Sequence, residues 1–179
     1  MTRATQVINA LLCHAGAVVK VRQARPEDQR ALRKIDTVTW TPDVSPAPPP
    51  PSDAAFFSEQ IQPADVLVAE IDSVVVGYAA LGQSFVVTSK AHVLEIRGLA
   101  VHPAHQRCGA GRRLVEACEE QARGRGARKL TLRVLGTNVR ARQLYESCGF
   151  LVEGVLHAEF FLDGRYVDDI LMARSLSTD

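Results

Sequence analysis

Two glycines one residue apart, Gly109 and Gly111, lie among arginines where the sequence predicts that a helix begins. The stretch reads QRCGAGRRL. The first N–H groups of a helix have no acceptor within it, and glycine lets a ligand approach the backbone closely, so such a turn favours an anion such as a phosphate. Arg107 and Arg112 can add charge-assisted hydrogen bonds. The alternative is a glycine turn before an ordinary amphipathic helix.

Two well-known phosphate-binding motifs do not fit this turn. A P-loop requires Lys followed by Ser or Thr after the second glycine, and here Arg112 and Arg113 follow. A dinucleotide fingerprint requires a small residue where Leu114 stands and an acidic residue about 20 positions further on, and the region near Leu130 has none. The remaining possibility is a phosphate site formed by a strand, a short turn and a helix whose first amides are bare.

The elements around this turn follow from hydrophobic periodicity and from turn residues. The chain has 179 residues and a formal net charge of +1, which favours one domain and gives no reason to expect nucleic acid as a partner. Strands are predicted at 18–23, 66–71, 74–81, 93–101 and 129–134, and helices at 25–37, 54–62, 109–123 and 138–148. Asp72-Ser73 is predicted to be the tight hairpin turn between the second and third strands, and Asp163-Gly164 the hairpin turn between two closing strands. This order predicts an α/β or α+β domain with a mixed sheet.

Composition divides the chain into an extension and a single domain. Residues 1–17 are predicted to be an N-terminal extension, and residues 18–176 one domain. Six of the nine prolines fall in the stretch 41–52, TPDVSPAPPPPS, which is incompatible with a helix or a central strand. We interpret it as a stiff loop over the body of the domain, with a linker as the alternative. No segment is predicted to be a secretion signal or a membrane span, and we expect a cytoplasmic protein.

Two longer motifs make a family resemblance specific. The stretch LEIRGLAVHPAHQRCGAGRRLVEAC, followed by TNVRARQLYESCGF, resembles the GCN5-related N-acetyltransferases, the GNAT superfamily. The first part is similar to that family's acyl-coenzyme A motif and the second to its Asn-x-x-Ala-x-x-Leu-Tyr-x-x-x-Gly-Phe helix. The resemblance implies a mixed, mostly antiparallel central sheet flanked by helices, with two strands splayed apart at the acetyl-CoA site. Gly98 could ease a bulge there.

The resemblance also implies which residues hold acetyl-CoA. Three strand residues would pair with the pantetheine arm, the glycine turn would bind the pyrophosphate, and Asn138 would contact the coenzyme as well as cap its helix. The implied set is Leu99, Ala100, Val101, Gln106, Arg107, Cys108, Gly109, Ala110, Gly111, Arg112, Asn138 and Tyr145. His102 and His105 flank this turn as coenzyme contacts or as surface histidines.

Two residues are candidates for catalysis. Tyr145 matches the family tyrosine near the thioester sulfur and would act as general acid, with a core aromatic as the alternative. Glu95 is the first candidate for the general base that deprotonates the amine, with an exposed strand residue as the alternative. Arg133 stands where some relatives that modify protein N-termini carry a glutamate. Three further carboxylates are held in reserve as bases: Glu153, Glu159 and Asp168.

The function implied is transfer of an acetyl group from acetyl-CoA to a primary amine of a small molecule, such as an amino acid or a polyamine. The alternatives are an N-terminal protein or peptide acetyltransferase and a non-catalytic acetyl-CoA-binding module. Trp40, Phe56 and Phe57 would either wall the acceptor site or belong to the core. Neither a metal nor a membrane partner is expected, and a homodimer is compatible with the family.

Overall fold

The computed structural model describes residues 18–49, 51, 53–84 and 87–177, so the predicted extension at 1–17 lies outside the described residues, as do residues 50 and 52 of the Pro-rich loop. The strands are β1 Lys20–Gln23, β2 Val66–Ile71, β3 Val74–Gly82, β4 Val93–Val101, β5 Lys129–Leu135, β6 Leu151–Leu162 and β7 Arg165–Ser175. They form one sheet in the order β1-β2-β3-β4-β5-β7-β6. Of the six strand pairs within the described residues, β4–β5 is parallel and the other five are antiparallel. The predicted mixed, mostly antiparallel sheet is confirmed.

Among the described residues, three α-helices flank this sheet: α1 Gln29–Thr39, α2 Ala110–Gly124 and α3 Val139–Ser147. Helix α1 packs with Leu32 and Ile35 against one face, in a core shared with Phe56. Helices α2 and α3 cover the other face, where Leu114 of α2 is fully buried. Both predicted hairpins are confirmed, and their central residues have the left-handed φ angles that two-residue turns require, as Asp72 shows with φ 50°.

The helix predicted at 54–62 is wrong. The segment is a loop with a single bridge between Ser58 and Ile61. The side chain of Arg33 takes up its first carbonyls, since Nε donates to the oxygen of Ala54 at 2.8 Å and Nη2 donates to the oxygen of Ala55. Those carbonyls are the acceptors that the first turn of a helix would need.

A charged cluster ties the segment just before α1 to the sheet. Arg22 of β1 donates from Nη1 to Asp28 Oδ2 at 2.7 Å and from Nε to Glu70 Oε1 of β2 at 2.9 Å. The Asp28 residue is only 8% exposed and also accepts from the backbone N–H of Arg25 at 2.7 Å. The Arg22 guanidinium holds the pKa of Asp28 below its ordinary value. The cluster therefore fixes where α1 begins relative to the sheet.

Strands β4 and β5 separate halfway along their length. They pair from Val93 with Lys129 to Ile96 with Leu132 and no further. Beyond Ile96, β4 continues to Val101 paired with β3, while β5 continues to Leu135 paired with β7. A bulge lies at this point, because Ala80 opposes Gly98 and Leu81 opposes Ile96, which leaves Arg97 as the extra residue. The predicted splay, with its bulge beside Gly98, is confirmed.

Candidate active site

The splay opens a cleft of about 1410 Å³ between β4, β5, α2 and α3. Eleven of the thirteen residues that the sequence predicts for the site line it: Glu95, Leu99, Ala100, Val101, Gln106, Arg107, Gly109, Gly111, Arg112, Asn138 and Tyr145. The two others lie behind its wall. Ala110 is buried, and Cys108 is half-buried against the core.

The glycine turn presents backbone amides to this cleft. Gly109 precedes α2 with a left-handed φ of 82° and no side-chain cap. The first helical hydrogen bond runs from Arg113 N to Gly109 O at 3.0 Å. The amides of Ala110, Gly111 and Arg112 therefore have no acceptor within the helix, and they lie at the positive end of the helix dipole. This geometry suits a diphosphate.

The two glycines of the turn are required for different physical reasons. A Cβ on Gly109 would meet nothing within 4 Å, so its requirement is the left-handed backbone. A Cβ on Gly111 would lie 3.0 Å from Leu144 Cδ2 of α3. Gly111 thus lets α2 and α3 pack closely, which the sequence did not reveal.

Among the described residues, no strand pairs with the edge of β4 that faces the splay from Arg97 to Val101, because β5 has turned away. Gln106 donates from Nε2 to Val101 O at 3.1 Å and accepts from Arg140 Nη1 at 2.6 Å. Arg140 also lines the cleft. It was missed in the sequence, where its position two residues after the helix cap Asn138 is the signal that could have identified it.

Helix α3 carries Asn138 and Tyr145 to the same cleft. Asn138 Oδ1 accepts from Ala141 N at 3.2 Å, so the predicted cap is confirmed, and none of the described residues accepts a hydrogen bond from its side-chain amide N–H groups. Tyr145 is 6% exposed, and its ring lies 5.9 Å from that of Phe150. Burial, with a smaller effect of the neighbouring thiols, raises its pKa above the ordinary value. Its hydroxyl is therefore protonated at neutral pH.

Glu95 faces the cleft from β4, opposite Thr131 of β5. It is half-buried, and its Oε2 accepts from Ser84 Oγ. Burial raises the pKa of Glu95, and the nearby charges of Lys90, Arg133 and Arg97 oppose that rise. A carboxylate with a raised pKa is a stronger base than an exposed one.

Of the three reserve carboxylates, Glu159 lies in the cleft and the other two are engaged elsewhere. Glu153 of the edge strand β6 accepts from Lys129 Nζ of β5 at 2.7 Å, and Asp168 accepts from the backbone N–H of Ala158 at 2.9 Å. Arg112, besides lining the cleft, donates to Ser147 Oγ at 3.0 Å and so braces the end of α3.

The far end of the cleft is built from α1 and the Pro-rich loop. Tyr78 of β3 donates to Asp36 Oδ1 at 2.7 Å, a pair that the sequence did not reveal, and Trp40 lines the wall beside it. Asp43 of the loop forms an ion pair with Arg165, and its carbonyl accepts from Thr137 Oγ1 at 2.9 Å. The loop thus crosses from α1 to α3. Phe56, in contrast, is a core residue at 7% exposure.

Other kinds of site find no support in the part of the chain that the structure describes. There, no three His, Cys, Asp or Glu side chains are grouped so that they could hold a metal ion. None of the helices among these residues has the length and apolarity to cross a membrane. His102 Nδ1 caps a short turn by accepting from Ala104 N at 3.3 Å, and His105 lines the cleft.

Comparison with known proteins agrees with the fold. Residues 30–150 match the acetyltransferase (GNAT) family. The chain is 30% identical over 123 residues to an L-methionine sulfoximine/L-methionine sulfone acetyltransferase of Salmonella typhimurium, covering 69% of this chain and 71% of that one. It is 38% identical over 101 residues to the [ribosomal protein bS18]-alanine N-acetyltransferase of Escherichia coli, covering 55% and 65% of the two chains.

A solved structure shows the same architecture. The crystal structure of smu.2055 from Streptococcus mutans UA159 superposes with a TM-score of 0.78 at 27% identity, covering 88% of this chain and 99% of that one. The chain therefore belongs to the GNAT acetyltransferase family. The expectation of an acetyl-CoA-dependent acyltransferase is confirmed at the level of the family.

Proposed function

We propose that the chain transfers the acetyl group of acetyl-CoA to the primary amine of a small molecule, such as an amino acid or a polyamine, by direct attack. The observation that carries the proposal is the convergence in one cleft of bare α2 amides, the free edge of β4 and two titratable groups, Glu95 and Tyr145. Such a cleft can hold an acyl donor at one end and an amine at the other.

The donor end fits a coenzyme with a diphosphate and an extended amide arm. The amides of Gly109 to Arg112 would receive the diphosphate, with Arg107 and Arg140 as nearby cations. The free edge at Leu99, Ala100 and Val101 would pair with the amide arm as an added strand does. A backbone amide near Leu99 would stabilise the developing oxyanion.

The two titratable groups would serve opposite ends of the reaction. Glu95 accepts a proton from the acceptor ammonium, directly or through water, which leaves a lone pair on nitrogen. That nitrogen attacks the thioester carbonyl, the C–N bond forms and the C–S bond breaks. Tyr145 donates its proton to the departing sulfur, and the remaining proton on nitrogen passes to solvent. The products are the amide and the free thiol.

A small acceptor is favoured by the boundary of the cleft. The loop that carries Asp43 is tied to Thr137 and Arg165, so it narrows the acceptor end. The alternative, acetylation of a protein N-terminus, is weakened by Arg133 on β5, where some N-terminal acetyltransferases of the family carry a glutamate. The bS18-alanine acetyltransferase among the relatives keeps that alternative in the test.

We further propose that residues 18–176 act as a single domain in the cytoplasm. A homodimer is compatible with the exposed apolar side chains of the outer strand β6, among them Leu151 at 74% and Val152 at 50% exposure.

The test is an acceptor panel with acetyl-CoA, in which release of the free thiol is followed with a thiol reagent. The panel contains amino acids, polyamines, simple alkylamines and N-terminal peptides, with a reaction lacking acceptor as control. We expect acceptor-dependent release with a small amine. Release with peptides alone would establish the N-terminal alternative, and binding of acetyl-CoA by calorimetry without turnover on any acceptor would establish a non-catalytic binding module.

A further inference from the structure

Arg133 lies on β5 at the first position beyond its last pairing with β4, on the wall of the cleft. Its side chain is 49% exposed, although its partner Asp169 of β7 is buried, with a side chain only 3% exposed. Nε of Arg133 donates to Asp169 Oδ2 at 2.6 Å, and Nη2 contacts the same oxygen. A buried acid therefore fixes the direction of a cation whose other end faces the cleft.

The outer end of this guanidinium is available. Its Nη2 lies 4.0 Å from Glu159 Oε1, beyond hydrogen-bonding distance, and no described residue bonds to Nη1. A guanidinium has five N–H donors in a planar fork that matches a carboxylate. With the edge formed by Nε and Nη2 occupied by Asp169, Nη1 and the outer N–H of Nη2 can receive a second carboxylate.

The neighbours of Arg133 define what such a carboxylate would belong to. Glu95 lies on the adjacent strand and interacts electrostatically with Arg133, Arg97 and Asp169. Arg97 donates from Nη1 to the backbone oxygen of Gln60 at 3.0 Å, so its fork is partly engaged. The cleft thus places an anion, Glu95, beside an oriented cation, Arg133.

We propose that Arg133 binds the carboxylate of the acceptor, so that the acceptor is an α-amino acid or a close analogue whose ammonium group faces Glu95. The inference rests on the proposed function. An α-amino acid carries its ammonium and its carboxylate on the same carbon, so the two groups complement the neighbouring charges of Glu95 on β4 and Arg133 on β5. A polyamine has no group for Arg133 and would place a second cation near it, in a position where Asp169 is already bonded to Arg133 and Glu159 lies 4.0 Å away.

The experiment compares matched acceptors that differ only in the carboxylate. L-Methionine, L-leucine and L-phenylalanine are each measured beside their amides, with spermidine as the cationic competitor. A site built to bond a group rejects the analogue that lacks it, so we expect kcat/KM at least tenfold higher for the best acid than for its amide. In Arg133→Gln that acid should lose at least tenfold in kcat/KM, mainly through KM, while its amide changes less than threefold.

A neighbouring cation supplies the matched control. Arg97→Gln also removes one positive charge from the lining of the same cleft, but it should leave the ratio of acid to amide within threefold of the wild-type ratio. If Arg97→Gln abolishes the preference and Arg133→Gln keeps it, the assignment to Arg133 is overturned. The inference is also overturned if the wild-type protein uses the amides or spermidine as well as the acids.

Two further measurements keep the outcome readable. Arg133→Gln leaves Asp169 buried without its partner, so thermal unfolding and calorimetry with acetyl-CoA are recorded for each variant. Arg133→Lys keeps a cation for Asp169 but lacks the planar fork, and we expect it to fold and still lose most of the acid preference. Failure of the proposed function would appear as no thiol release with any amine. Calorimetry of L-methionine against L-methioninamide, in the presence of coenzyme A, would then still decide whether the carboxylate is bound.

Discussion

Removal of one oxygen, in Tyr145→Phe, tests the proposed general acid without disturbing the packing. The ring is buried and lies 5.9 Å from that of Phe150, and phenylalanine retains that contact. None of the described residues hydrogen-bonds to the Tyr145 hydroxyl, so the substitution leaves no buried partner unsatisfied. We therefore expect the free energy of unfolding to change by less than about 1 kcal/mol.

The loss of activity can be bounded from the chemistry of the leaving group. General acids contribute about 10²- to 10⁴-fold to a rate. A thiol with a pKa of about 8.5 leaves more readily than an alkoxide, so its departure needs less help. We therefore expect the lower end of the range, a decrease in kcat of about 10- to 100-fold. The affinity for acetyl-CoA should change less than about twofold, because the hydroxyl acts mainly in the transition state.

The pH profile adds an independent signature. Tyr145 must be protonated to donate, and burial raises its pKa above the ordinary value of 10.0. The wild-type rate should therefore hold through neutral pH and fall only above pH 10, and this alkaline limb should be missing from the slower variant. The assay is thiol release under saturating acetyl-CoA, with calorimetry for coenzyme affinity.

The control is Tyr166→Phe, since Tyr166 lies in the last hairpin at 74% exposure, and it should leave kcat unchanged. An unchanged kcat in Tyr145→Phe, with the alkaline limb still present, would refute the proposed acid. An equal loss of kcat and of coenzyme affinity would instead give the tyrosine a binding role.

Three other perturbations test the donor turn, the base and the fold. Gly109→Ala should weaken acetyl-CoA binding about 5- to 30-fold by calorimetry, because a left-handed φ costs about 1–2 kcal/mol for alanine. The control is Gly124→Ala at the other end of α2, which should leave the affinity for acetyl-CoA unchanged. Glu95→Gln should reduce kcat/KM, because the deprotonated form of Glu95 is the proposed base. In the wild type, the rate should fall in acid with a midpoint above the ordinary carboxyl pKa of 4.5, since burial raises the pKa of Glu95. The variant should lack this acid limb of the pH–rate profile, and persistence of the limb would exclude Glu95. Asp28→Asn should destabilise the protein by about 1–3 kcal/mol in urea at pH 7. Arg22 lowers the pKa of Asp28 in the folded state below 3.8, so the stabilisation is fully present above the pKa of the unfolded state and is lost as pH falls through the pKa of the folded state. The difference in unfolding free energy between wild type and variant should therefore vanish in acid. A difference that stays constant with pH would contradict the argument.

The parts of the fold that the sequence predicts well are those whose signals are local. The strands β2 and β3, the turn at Asp72-Ser73 and the cap at Asn138 each depend on residues that are close together in the sequence. The failed helix at 54–62 has the opposite character. Its residues permit a helix, but Arg33, more than 20 positions earlier, takes up the carbonyls that would begin it.

The candidate site shows the same division. The glycine turn and α3 could be found because a motif holds their residues in sequence. The pair Asp36–Tyr78 joins residues 42 positions apart, and the pair Arg133–Asp169 joins residues 36 positions apart. The first pair depends on the packing of α1 against β3, and the second on the sheet order, in which β7 is inserted between β5 and β6. No local pattern reveals either pair.

One extra residue in β4 connects the donor and acceptor ends of the cleft. Before the bulge, Leu94 and Ile96 pack towards α2, and after it Leu99 and Val101 do so. Without Arg97 as an insertion, simple alternation would continue from Ile96 to Gly98 on that face. A bulge also bends its strand and increases its twist, which leads β4 away from β5 just where their pairing ends. The free edge proposed for the coenzyme and the wall proposed for the amine therefore have a common origin, because both begin where this insertion ends the β4–β5 ladder.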